Sequence, residues 1–135
     1  FHLALYHHRP EIGAVVHTHS VYATTLACLH REIPPVHYLV GFAGRKVPLA
    51  PYATFGTPAL AAAITGAIGA SNALLMANHG LVAVGRDLPA AFNVAEEIEF
   101  VARIYYQTLV AGDPRILTEA QMDAALVKFE SYGRQ

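Results

Sequence analysis

Residues 9–20 read RPEIGAVVHTHS, and the division of this stretch decides the fold. Pro10 ends any helix before it, because the residue preceding a proline is pushed out of the helical region. The valine-rich segment from Ala14 to Thr18 then predicts a strand. Successive strand side chains point to opposite faces, so His17 and His19, two residues apart, project the same way. Imidazole is a poor substitute for another valine on an apolar face, since a buried ring still needs partners for both nitrogens. Two such rings side by side pose the question that the rest of the chain must answer.

Outward from this strand the pattern alternates. Upstream, FHLALYHH (residues 1–8) reads as the end of a helix with Phe1, Leu3 or Ala4, and Leu5 on its buried side. Downstream, Ser20 is placed to cap a helix running through Tyr22, Leu26 and Leu29. Pro34-Pro35 breaks the chain, and Val36 to Val40 is expected to be another short strand. GFAGRKVPLAPY (41–52) is punctuated by glycine and proline and predicts loop with at most short extended pieces. Thr57 followed by Pro58 marks a helix start, and an alanine-rich helix continues to about Gly69. Ala73 to Ala77 and Leu81 to Val84 are strand-like runs around Asn78-His79-Gly80. Gly85-Arg86-Asp87 turns into the longest helix, 88–110, where Ala91, Ala95, Ile98, Ala102, Tyr105 and Leu109 recur at helical spacing. Thr118 caps a last helix carrying Met122, Leu126 and Phe129. Helices and strands mix along one chain without repeats or linkers, which predicts an α/β domain with its sheet covered by helices.

Composition narrows the functional class. The chain has 135 residues with 54% hydrophobic and 14% charged, enough for a single domain with a real core and an apolar surplus of the kind used between subunits. A net charge of −1 without a basic run argues against a nucleic-acid surface. No apolar run approaches the roughly 18–20 residues of a membrane helix, and no signal peptide is visible. The single cysteine, Cys28, is expected to be a packed thiol; it excludes an internal disulfide and makes a reducing cytoplasm the default. The start at Phe1, without Met and inside a helical pattern, places the natural N-terminus upstream in this reading. Glu96, Glu97 and Glu99 fan around the long helix and read as a solvated face.

Of the eight histidines, His2, His7, His8 and His30 fall on helices or their ends and read as surface residues. His37, beside Tyr38, fits either packing or a site. His17, His19 and His79 differ because each lies in an otherwise apolar extended segment. A metal ion would satisfy several such rings at once: catalytic zinc commonly takes three protein ligands and keeps an open position. His-x-His supplies two ligands from one backbone, NHG on a neighbouring strand would supply the third, and Gly80 lets the backbone turn beside it. Hydrogen-bonded core histidines are the alternative, because periodicity alone does not make the two strands neighbours.

Taken in order, RPEIGAVVHTHS, IPPVHY, PYATFGTPAL, NHGLVAVG and KFESYG resemble the class II aldolase and adducin family over essentially the whole chain. The resemblance implies a three-layer α/β fold with a mixed, mainly antiparallel sheet between helices. It also implies cyclic homotetramers with sites at subunit boundaries and zinc held by residues matching His17, His19 and His79. The expected reaction is reversible cleavage of a ketose 1-phosphate, such as L-fuculose 1-phosphate, to dihydroxyacetone phosphate and a small aldehyde. Tyr38, after the histidine of the IPxxHY segment, matches a tyrosine that assists proton transfer at the aldehyde end. Tyr132 matches one that reaches toward a neighbouring subunit's site. The family's catalytic glutamate, in a Ser-Ser-Glu segment, and its phosphate-binding residues precede the position of Phe1, so the chain reads as one domain lacking its N-terminal part. Asn78 is expected either to orient a ligand or simply to turn the chain. A sugar-phosphate 4-epimerase, a related aldolase acting on deoxyribulose or methylthioribulose phosphates, and a non-enzymatic adducin-like assembly domain are the competing readings.

Overall fold

The computed structural model describes residues 1–131. Helix α1 (His2–His8) leads into strand β1 (Ala14–Thr18), helix α2 (Val21–Cys28) and a 3₁₀ segment (Tyr38–Phe42). Strand β2 (Leu49–Ala50), helix α3 (Pro58–Ile68), strands β3 (Ala73–Met76) and β4 (Gly80–Gly85), and helices α4 (Leu88–Ala111) and α5 (Glu119–Ser131) follow.

The four strands described form one sheet in the order β1-β4-β3-β2. β4 runs antiparallel to both β1 and β3, while the two-residue β2 pairs parallel with β3. The sheet is therefore mixed and mainly antiparallel, as expected. β3 is buried throughout and β4 nearly so, which is why ALLM and LVAV read as unbroken apolar runs: central strands covered on both faces need no polar alternation.

Two cores make the third dimension. On one face Leu74, Met76, Val82 and Val84 pack with Leu5 of α1 and Leu60, Ile64 and Ile68 of α3. On the other, Leu75, Leu81 and Ala83 pack with Leu26 of α2 and Ile98, Val101 and Tyr105 of α4. The helix starts follow local chemistry: the Thr57 hydroxyl accepts from Leu60 N, and the Asp87 carboxylate from Ala90 N. Pro58 and Pro89 occupy first-turn positions, where the missing N–H costs nothing.

Several local expectations are corrected. Val36–Val40 is not a strand: His37 Nδ1 accepts from Leu39 N and starts the 3₁₀ segment instead. With only Val40 fully buried in that run, no strand-like alternation of burial had to be met. In α1 only Leu5 is buried, and Leu3 faces solvent. Ser20 stands at the N-cap of α2 without a side-chain cap bond. Cys28 is exposed at the end of α2 rather than packed.

Candidate metal centre

The antiparallel register of β1 and β4 sets His17 opposite Val82 and Thr18 opposite Leu81. Continued by one step, that register sets His19 opposite Gly80, the first residue of β4, with His79 next to it in the turn before the strand. Sequence spacing supplied the two segments, and hydrogen bonding between their strands supplies the third ring. Ring centroids are 4.7 Å apart for His17–His19, 4.9 Å for His17–His79 and 5.2 Å for His19–His79. One ring nitrogen from each can be chosen so that all three lie within 4.8 Å of one another.

The first ligand's tautomer is fixed by its surroundings. His17 Nδ1 donates to the Leu81 carbonyl at 2.9 Å, leaving Nε2 to face His19 Nε2 at 3.0 Å. Two nitrogens bound at tetrahedral angles to one zinc ion sit about 3.3 Å apart, given bonds of roughly 2.0–2.1 Å. The His17–His19 pair is thus already near ligand spacing, and a ring nitrogen of His79 lies within 4.8 Å of both. The donor set fits a divalent ion of zinc's preferences. The carbonyl bond to Nδ1 is also the partner that metal-ligating imidazoles ordinarily have behind them.

Electrostatics point the same way. Burial lowers the pKa of His17 below its ordinary value, His19 adds to the shift, and the Leu81 hydrogen bond partly opposes it. Burial also lowers His79, with His17 and His19 adding to the effect. Neutral imidazole is the form that binds a metal. Phe1 covers one side, its ring edge-on to His17 at 5.5 Å.

The triad opens into a cleft of about 490 Å³ lined by Tyr52, Ala53, Phe55 and Asn78 besides the histidines. Tyr52 and Phe55 are largely exposed at its mouth. They belong to the Pro- and Gly-punctuated PYATFG stretch, where the sequence showed the helix cap but not the wall. Among the described residues no carboxylate lines this cleft. Tyr38 is half-exposed in a different cleft, between the 3₁₀ segment and α5, with Phe42, Glu97 and Phe129. Within one chain it is not brought to the triad. Tyr132 lies outside the described residues.

Glu99 departs from the solvated face expected of it. Its carboxylate oxygens accept from Tyr22 N and Ala23 N, each at 2.8 Å, and so cap the helix that begins two residues after His19. No local signal could have revealed this, because the partners are 76 and 77 positions apart. Arg9 is likewise structural: its guanidinium donates to Ser71 O at 2.6 Å and to Asn72 Oδ1 at 3.3 Å, tying the end of α1 to the entry of β3.

Fold and triad together define a class: a three-layer α/β domain that presents three converging imidazoles at one end of its sheet. Comparison with known proteins then gives the family. Residues 1–106 match the model of the class II aldolase and adducin N-terminal domain, and the chain belongs to that family. It is 53% identical, over 99% of its length and 63% of the relative's, to a 5-deoxy-D-ribulose 1-phosphate aldolase of Bacillus thuringiensis serovar kurstaki. It is 42% identical, over 98% of its length and 62% of the relative's, to an L-fuculose phosphate aldolase of Haemophilus influenzae. A solved L-fuculose 1-phosphate aldolase superposes with a TM-score of 0.93 at 41% identity, covering 95% of this chain and 60% of the other. The chain thus spans a little under two thirds of the relatives it matches. Among the described residues no helix is long and apolar enough to cross a membrane.

Proposed function

We propose that the protein carrying this chain is a zinc-dependent aldolase that reversibly cleaves a ketose 1-phosphate to dihydroxyacetone phosphate and a small aldehyde. The observation that carries this reading is the convergence of His17, His19 and His79 on one point beside an open cleft. When bound, the ion supplies Lewis-acid stabilisation of the negative charge that develops on the substrate oxygens as the carbon–carbon bond breaks. His17, held by the Leu81 carbonyl, and His79, on the turn before β4, keep the ligand nitrogens in place. Tyr52 and Phe55 form the apolar wall at the cleft mouth, suited to a substrate whose distal end lacks a hydroxyl.

Proton transfer is assigned to groups brought from elsewhere. Tyr38 sits in a separate cleft of its own chain, so its proton-transfer role at the oxygen that becomes the aldehyde belongs to an assembly in which it meets a second copy's triad. A homotetramer with sites at subunit boundaries is the arrangement proposed, and Tyr132 is proposed to act in the same way. Among the described residues no carboxylate lines the cleft, and the proton on the carbon next to the carbonyl is proposed to fall to a glutamate of the part of the relatives that this chain does not span.

For the substrate, the 53% identity to a 5-deoxy-D-ribulose 1-phosphate aldolase favours a 5-deoxypentulose 1-phosphate, and L-fuculose 1-phosphate is the second reading. The test is condensation by the full-length protein of dihydroxyacetone phosphate with acetaldehyde or with lactaldehyde, before and after chelation. Zinc-restored condensation favouring acetaldehyde supports the first reading; a preference for lactaldehyde supports the second. Interconversion of pentose phosphates without cleavage would replace both with an epimerase. Full retention of assembly with no metal requirement and no turnover would replace them with an adducin-like structural role.

A further inference from the structure

Two residues among those described, other than glycine, have positive φ: His30 at 51° and Asn78 at 55°. They lie 48 positions apart and touch, His30 Nε2 donating to Asn78 Oδ1 at 2.6 Å. Left-handed backbone is uncommon outside glycine, with asparagine and histidine among the residues that tolerate it best. Two such positions meeting side chain to side chain point to a built contact.

Its location gives it a function. Asn78 directly precedes His79, and His79 N donates to Met76 O at 3.0 Å, closing the turn that links β3 to β4. Asn78 N donates to Ala27 O at 3.3 Å, and His30 N reaches the same carbonyl at 3.1 Å. The C-terminal end of α2 therefore grips this turn through backbone and side chain together. The other end of α2 begins two residues after His19 and is held by Glu99. The helix is thus fastened at one end beside the second imidazole and at the other to the residue preceding the third.

We propose that His30 is a positioning residue for the metal centre: through Asn78 it sets the backbone of His79 and so the closure of the histidine triad. The inference rests on the metal-binding reading of that triad. His30 touches neither ion nor substrate, and it acts by restricting the turn to the one conformation that directs His79 toward His17 and His19. Removing partners that orient metal ligands ordinarily weakens metal binding 10–100-fold.

The experiment is titration of the metal-stripped full-length protein with zinc, and separately with cobalt(II), whose visible spectrum reports ligand geometry. Variants are His30→Gly, which removes the donor while relieving the left-handed backbone, and His30→Gln, which restores an N–H donor. The expected result is about tenfold weaker zinc binding and an altered cobalt spectrum in His30→Gly, with recovery toward wild type in His30→Gln. Thermal melting of each metal-free variant separates loss of fold from loss of positioning. Wild-type zinc affinity and an unchanged cobalt spectrum in His30→Gly would overturn the proposal while leaving the triad intact. Failure of the wild-type protein to bind zinc would instead overturn the metal reading on which it rests.

Discussion

Glu99 holds the backbone of Ala23: from the middle of α4 its carboxylate accepts the Ala23 N–H at 2.8 Å while its other oxygen takes Tyr22 N. An anion at the start of α2 satisfies two of the helix's unpaired donors and complements its dipole. Glu99→Ala leaves both N–H groups without partners in a half-buried place, and hydrogen bonds to a charged group are worth about 1.5–3 kcal/mol each. Chemical denaturation should show a loss of roughly 2–4 kcal/mol, and the variant should lose zinc more readily because α2 follows His19 so closely. A stability loss below about 0.5 kcal/mol would mean the cap contributes nothing beyond water.

Gly80 is where the triad tolerates no side chain. A Cβ there would clash with the Thr18 carbonyl oxygen and stand 3.0 Å from His19 Cδ2 and 3.4 Å from His17 Cε1. Gly80→Ala must push apart two strands and two ligands together. It should cost about 1–3 kcal/mol in stability and at least about tenfold in zinc affinity, read by denaturation and by metal titration. Unchanged metal binding in a folded Gly80→Ala protein would contradict this geometry.

The Arg9 network fixes the α1 side of the sheet. Its side chain is 15% exposed and ties Ser71 O, Asn72 Oδ1 and Glu11 together. Arg9→Met keeps the length and removes the donors, leaving a carbonyl and an amide oxygen short of partners. The expected loss is about 1–3 kcal/mol, measured by denaturant unfolding, with the zinc content of the folded protein unchanged.

A pH dependence follows from the same network. The hydrogen bond from Arg9 holds the Glu11 carboxyl below its ordinary value of 4.5, chiefly by favouring the ionised form. Because the folded state binds this proton less readily than the unfolded one, the stabilisation is present above 4.5 and is lost as pH falls through the lowered folded value. Glu11→Gln should therefore melt slightly below wild type at pH 7, and the difference should shrink as pH falls below 4.5. A difference that grows on acidification would reverse the assignment.

What the sequence revealed and what it hid divide along a physical line. Strands β1, β3 and β4 were legible because their apolar runs are continuous, and α3 and α4 because Thr57-Pro58 and Asp87 mark their starts in local chemistry. His17 and His19 stood out as polar rings in an apolar run, and NHG did so for His79. The 3₁₀ segment at Tyr38 was hidden because VHYLV has strand-like composition, and the His37 side chain that turns it acts only in three dimensions. The roles of Glu99 and of the His30–Asn78 pair depend on partners 48 to 77 positions away, which no local pattern encodes. Tyr38 could be singled out from its IPPVHY setting, but only the fold separates its cleft from that of the triad.

Metal analysis of the purified full-length protein is the direct test of whether His17, His19 and His79 together hold one zinc ion. The wild type should carry one zinc per chain and lose it in a His17→Ala, His19→Ala, His79→Ala triple variant that remains folded. Stoichiometric zinc retained in that triple variant, or a wild-type protein that neither contains zinc nor takes it up, would rule out the histidine triad as a zinc site.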